Sequence, residues 1–186
     1  MITKLIILDR DGVINHDSDA YIKSPEEWIP IDGSLEAIAR LTRGGYTVTV
    51  ASNQSGISRG YFDLQTLAAM HRKMDELLVP LGGRVEAVFF CPHSPRDKCA
   101  CRKPQPGLLN EISQRFSMPL DDVLFVGDTV NDVNCALNAG ARPVLVKTGK
   151  GERAALEKDS KGFVDVPVFE DLAEVVDALL DAEQDL

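Results

Sequence analysis

Five polar residues stand directly behind short apolar runs. Asp9 and Asp11 follow Leu5-Ile6-Ile7-Leu8, Ser52 and Asn53 follow Val48-Thr49-Val50-Ala51, and Asp128 follows Val123-Leu124-Phe125-Val126-Gly127. Gathered in one place, the three carboxylates would repel one another and hold protons unless a cation compensated. Magnesium suits such a set, because it takes few protein carboxylates, several waters and a phosphate oxygen. The expected ligands are Asp9, Asp128 and Asp11, the last through its backbone carbonyl. A carboxylate can also attack phosphorus to give an acyl phosphate that water then opens. Asp9 is expected to be that nucleophile, and Asp11, two residues on, the acid and then the base. Ser52 and Lys103 supply a hydroxyl and a cation to hold the transferring phosphoryl oxygens. Taken singly, the same residues read as an Asp-x-Asp-Gly surface turn, a helix cap and a solvated lysine. Their repeated place behind apolar runs argues for a set.

A second cluster lies in one loop. Cys91-Pro92-His93 and Cys99-Ala100-Cys101 bring three thiols and an imidazole within eleven positions, the complement of a closed tetrahedral zinc site with no open position for catalysis. The alternative is a surface loop with buried thiols. Pro92, Pro95, Pro104 and Pro106 surround little apolar content, so metal binding is expected to order the loop, about residues 91–101. Arg102 and Lys103 come next and would be fixed at the rim of the carboxylates. Arg102 is a candidate for a second phosphate or another polar group of the substrate.

These groups need strands to converge them. The apolar runs above, with Val144-Leu145-Val146 and the stretch from Val85 to Phe90, read as buried parallel strands. Between them lie helical stripes. Leu35, Ile38 and Leu41 run between Asp32-Gly33-Ser34 and Gly44-Gly45; Leu64, Leu67, His71, Met74 and Leu78 run between a capping Asp63 and Pro80. A third helix opens at Pro106 with Leu108, Leu109, Ile112 and Phe116 inward, and a fourth spans about Val130 to Gly140. Cys135 and His71 read as core residues. The alternation predicts an α/β fold of three layers with a mostly parallel sheet, where ligands bind beyond the carboxyl ends of the strands. One domain over 1–186 is expected, with no large cap and an acidic tail, Asp181 to Leu186, frayed.

With a formal net charge of -9 over 186 residues, the chain is not expected to bind nucleic acid or anionic membrane, and an anionic substrate needs local cations. The segment from Met1 to Asp9 is too short and too soon charged for a secretory signal. Clustered cysteines suit a reducing compartment, so a cytoplasmic monomer acting on a small molecule is expected.

The segments resemble the four motifs of the haloacid dehalogenase (HAD) superfamily: Asp9-Arg10-Asp11-Gly12-Val13, Ser52-Asn53, Lys103-Pro104 and Gly127-Asp128-Thr129-Val130-Asn131-Asp132. The resemblance implies the Rossmann-like HAD fold and the same roles for Asp9, Asp11, Ser52, Lys103 and Asp128, with Asp132 supporting the metal. Two branches carry zinc loops of this kind. The short gap between His93 and Cys99 resembles the histidinol phosphatases. Asn53-Gln54-Ser55-Gly56-Ile57-Ser58-Arg59-Gly60, Asp19-Ala20-Tyr21-Ile22 and Arg102-Lys103-Pro104-Gln105-Pro106-Gly107 resemble the heptose bisphosphate phosphatases, and they cover more of the rim. That branch implies removal of the C7 phosphate of D-glycero-D-manno-heptose 1,7-bisphosphate on the way to ADP- or GDP-heptose and lipopolysaccharide core. It places Asp17, Ser18, Asp19 and Tyr21 near the sugar and Ser52, Asn53, Gln54 and Ser55 near the phosphate. Histidinol phosphate is the alternative substrate, and a catalytically decayed, zinc-ordered binding module the alternative of another class.

Overall fold

The computed structural model describes residues 4–184. The remarks on Met1 to Thr3 and on the last two residues of the acidic tail lie outside the described residues. The strands β1 (Lys4–Leu8), β2 (Tyr46–Asn53), β3 (Ala87–Cys91), β4 (Leu124–Gly127), β5 (Arg142–Val146) and β6 (Val168–Phe169) form one sheet in the order β3-β2-β1-β4-β5-β6. Every neighbouring pair is parallel. The helices are α1 (Ser34–Arg43), α2 (Leu64–Leu78), α3 (Gly107–Phe116), α4 (Val130–Ala139), α5 (Gly151–Glu157) and α6 (Leu172–Gln184).

Alternation along β1 shows the layers. Ile6 and Leu8 belong to a core with Ile38 and Leu41 of α1, Met70 and Met74 of α2, and Val175 and Val176 of α6. Leu5 and Ile7 face the other way, onto Leu109 and Ile112 of α3 and Cys135 of α4. Successive side chains of a strand point to opposite faces, so β1 is buried on both from Leu5 to Leu8 and meets no further polar residue until Asp9. Ala154 of α5 packs with Val133 and Leu145 in a smaller cluster. No helix among the described residues is long and apolar enough to cross a membrane.

The first four helices and first five strands lie within a few residues of their expected places. Asp63 caps α2 by accepting the Thr66 N–H at 2.8 Å, and α2 gives way to a 3-10 turn, Val79–Leu81, that holds Pro80. Leu64, expected in the buried stripe, is exposed instead. It is the first residue of α2, ahead of the turn that meets the sheet, and Met70 fills the inward place. The expected frayed tail is also corrected: positions 181–184 continue α6, whose Leu172, Val175 and Val176 are anchored in the core.

Candidate active site

Parallel pairing sets the carboxyl ends of β1, β2 and β4 side by side, so the residues that leave them meet. Asp9 follows β1, Ser52 and Asn53 end β2, and Asp128 follows β4. Carboxylate oxygens of Asp9, Asp128 and Asp132 lie within 4.8 Å of one another, all on buried residues. Gly12 makes this approach possible: it has φ 84°, and a Cβ there would sit 2.1 Å from Asp128 Oδ2. The turn therefore needs glycine for its backbone angle and for its missing side chain.

Lys103 enters from the zinc loop. Its side chain is 2% exposed, with the ammonium 2.9 Å from Asp9 Oδ2 and 2.7 Å from Asp132 Oδ1. It also donates to the Ala51 carbonyl at 2.9 Å. Burial alone would lower the lysine's pKa, but the charges of Asp132 and Asp9 outweigh it and hold the group above its ordinary range. Burial pushes the Asp9 carboxyl up to about 7, against the opposing Lys103, and pushes Asp128 up to about 8, helped by the charges of Asp132 and Asp9. One ammonium does not satisfy three buried carboxylates. Asp132 Oδ1 is buried with that shared ammonium as its partner. A hard dication is the missing partner, and Asp9 and Asp128 with Asp132 behind them have the donor chemistry to hold magnesium.

Asp11 lines the same pocket, but its carboxylate has a separate set of partners. Arg10, itself fully buried, donates to it from Nε at 3.0 Å and from Nη2 at 2.9 Å and 3.1 Å. Asn15 Nδ2 and Gln54 Nε2 donate as well, at 2.9 Å and 2.8 Å. Burial would raise the Asp11 pKa, yet the Arg10 charge and these hydrogen bonds bring it below the ordinary value. Gln54 Nε2 also reaches Ser52 Oγ at 2.8 Å and so connects Asp11 to the hydroxyl.

The pocket, about 290 Å³, is lined by every residue expected to bind substrate: Asp17, Ser18, Asp19, Tyr21, Ser52, Asn53, Gln54, Ser55, Arg102 and Lys103. Some of these have side chains engaged with nearby backbone, among them Arg102, which donates from Nη1 to the His93 carbonyl at 3.2 Å, and Asn53, which holds Lys103. Asn53 donates from Nδ2 to the Lys103 carbonyl at 3.1 Å and accepts the Lys103 N–H at 3.0 Å. Its amide therefore clamps the backbone that carries the buried ammonium. Sequence reasoning missed Arg10, whose charge would ordinarily mark a solvated residue, and Lys150, which belongs to no motif and also lines the pocket.

In the zinc loop, Cys91 Sγ is 3.6 Å from His93 Nδ1 and 3.6 Å from Cys99 Sγ. Cys101 Sγ is 3.3 Å from His93 Nδ1, 3.3 Å from Cys91 Sγ and 3.5 Å from Cys99 Sγ. Zinc bonds of about 2.3 Å in a tetrahedron give edges of about 3.7 Å, so the four groups could hold that ion with little movement. Burial pushes the Cys91 thiol up to about 12, and metal binding would have to displace its proton.

The doubly wound parallel sheet, with three buried carboxylates and an ammonium gathered at the carboxyl end of its central strands, has the chemistry of a phosphoryl-transfer enzyme. A family model of HAD-hydrolase-like proteins matches residues 100–175. A Pseudomonas putida protein named D-glycero-beta-D-manno-heptose-1,7-bisphosphate 7-phosphatase is 53% identical over 178 residues, 95% of this chain and 99% of that one. A protein of that name from Bordetella bronchiseptica is 52% identical over 178 residues, 95% and 98% of the two chains. The crystal structure of D,D-heptose 1,7-bisphosphate phosphatase from B. bronchiseptica, complexed with magnesium and phosphate, has a TM-score of 0.92 at 50% identity and covers 97% of this chain and 99% of that one. The chain therefore belongs to the HAD-like hydrolases, in the branch of the heptose bisphosphate phosphatases. Of the two branches that the zinc loop left open, the relatives bear out this one.

Proposed function

We propose that the protein removes the C7 phosphate of D-glycero-D-manno-heptose 1,7-bisphosphate through a phosphoryl group carried transiently on Asp9. What carries the reading is the meeting of Asp9, Asp128, Asp132 and Lys103 at the sheet edge, under a polar pocket lined by Asp17 to Tyr21 and by Arg102. The choice of sugar follows the relatives' names, which specify the beta anomer.

An Asp9 carboxylate oxygen attacks phosphorus and the C7 oxygen departs. Asp11 gives the departing oxygen a proton and afterwards takes one from the water that opens the acyl phosphate. Ser52 and Lys103 hold the phosphoryl oxygens while charge redistributes over them, and Asn53 keeps Lys103 in place. Magnesium, held by Asp9, Asp128 and the Asp11 backbone carbonyl, would neutralise charge on those oxygens. Arg102 on the opposite rim takes the remaining phosphate, and Asp17, Ser18, Asp19 and Tyr21 meet the sugar hydroxyls. Cys91, His93, Cys99 and Cys101 would hold zinc, which would keep the rim ordered. Residues 1–186 act as one domain, as a cytoplasmic monomer whose partner is the small sugar phosphate.

The deciding variant is Asp9→Asn, assayed for phosphate release with magnesium. Loss of at least about a thousandfold in kcat is expected, since removing a covalent nucleophile leaves only binding and electrostatics. Turnover within tenfold of the wild type would reject the nucleophile. A wild-type chain inert towards heptose and histidinol phosphates alike would favour the decayed binding module.

A further inference from the structure

Three cations line the pocket, and two already have a place in the reaction: Lys103 between Asp9 and Asp132, and Arg102 on the zinc-loop rim. The third, Lys150, arrives from the loop between β5 and α5. Its backbone N–H donates to Asp128 Oδ2 at 2.9 Å. Its ammonium lies 3.0 Å from Asp17 Oδ2 and 3.3 Å from Asp19 Oδ1, on the segment that follows β1. One residue thus joins the metal-holding end of β4 to the lip over the pocket.

The loop that carries Lys150 is firmly seated. Thr148 Oγ1 donates to the Gly12 carbonyl at 2.6 Å. Gly149, with φ 62°, lies so near that a Cβ would come 2.3 Å from Asp128 Oδ2 and 2.5 Å from Gly12 Cα. Its backbone cannot drift without moving Asp128, whereas the half-exposed Lys150 side chain is held, among the described residues, by its two carboxylates. They are unequal partners. The Asp17 side chain is 20% exposed and that of Asp19 is 94% exposed, so water screens the second pair and the first carries most of the interaction.

We infer that Lys150 is a positioning residue that sets substrate affinity: it anchors the lip at Asp17 and cancels the charge there, so that a doubly phosphorylated sugar can approach carboxylates suited to its hydroxyls. This rests on the phosphatase reading above. A substrate with two phosphates brings several negative charges, and an uncompensated carboxylate on the pocket wall opposes its entry. A carboxylate is nonetheless the acceptor that a sugar hydroxyl wants. Lys150 reconciles these demands through an ammonium that pairs with Asp17 and Asp19, not with Asp9, so the effect of its side chain belongs in KM.

Steady-state kinetics on the heptose bisphosphate with magnesium, for wild type, Lys150→Gln, Lys150→Arg, Asp17→Asn and the double variant Lys150→Gln/Asp17→Asn, test this. Lys150→Gln should raise KM by about tenfold and change kcat by less than about threefold, the size expected for one partly screened charge. Lys150→Arg should recover most of the loss. With Asp17→Asn already present, Lys150→Gln should cost less than about threefold, because its partner no longer carries a charge. An unchanged KM in Lys150→Gln overturns the proposal, as does the full rise in both backgrounds, which would mean that Lys150 touches a phosphate directly. A fall in kcat at constant KM overturns it too, placing the effect on Asp128. Absence of turnover in the wild type is a separate signature: there the phosphatase reading itself fails and the proposal falls with it.

Discussion

Arg10, Asn15 and Gln54 all donate to the carboxylate of Asp11, and each favours the anion. Asp11 is therefore ready to take a proton from water, but must first acquire one before it can protonate a leaving group. These two duties can be separated. With an aryl phosphate, whose leaving group needs no proton, Asp11→Asn should release about one equivalent of phenol per site at close to the wild-type rate and then stall, since the acyl phosphate has lost its base. Stopped-flow absorbance would show the burst; steady release at the wild-type rate would remove Asp11 from the second step. The need for Asp11 was legible in the spacing from Asp9. The partners that hold it were not: an arginine between two aspartates in a turn reads as solvated, and only the packing of α2 against that turn explains why Arg10 is fully buried, 3.8 Å from Met70 Sδ.

Among the elements, β1 to β5 and α1 to α4 were legible because each pairs an apolar run or stripe with a glycine, proline or capping signal. The segment after β5 was harder to read. β6 is two residues long, α5 is short and flanked by Lys158 to Gly162 without a periodic stripe, and the acidic end of α6 outweighed its apolar spacing. The zinc loop is the opposite case, read in full from four ligands. It has little apolar content, and the residue it must deliver, Lys103, lies two positions beyond its last ligand. Cys99→Ser/Cys101→Ser should lose about one equivalent of zinc and at least about tenfold in kcat/KM, with the far-ultraviolet circular dichroism largely kept, because the sheet and helices have their own cores. Metal analysis and kinetics on one preparation check this, and an active variant without zinc would count against the loop's supporting role. Asn53 should soften the loss by still gripping the Lys103 backbone from β2.

For the molecule as a whole, the carboxylate cluster couples stability to pH and metal. Without a cation, burial pushes Asp9 up to about 7 and Asp128 up to about 8, both from 3.8. The native state then holds protons that the unfolded chain has released. For such raised groups the favourable contribution is present at low pH and is lost as pH climbs through 7 to 8. Magnesium takes the place of those protons, so its stabilisation should grow over the same window. At a hundredfold excess over Kd a ligand contributes about 2.7 kcal/mol. Melting temperatures with and without magnesium should diverge more at pH 8.5 than at pH 6; a gap that narrows with rising pH would contradict the assignment. The strand order has a consequence for biosynthesis as well. Asp9 is made early, whereas β4 and the loop bearing Lys150 are made more than a hundred residues later. A growing chain can pair β1 with β2, but Asp9 gains its ammonium only with residue 103 and its fellow carboxylates only with residues 128 and 132. Asp9 is therefore displayed by an incomplete chain that lacks the groups proposed to act with it, and hydrolysis is expected only once most of the protein has been synthesised.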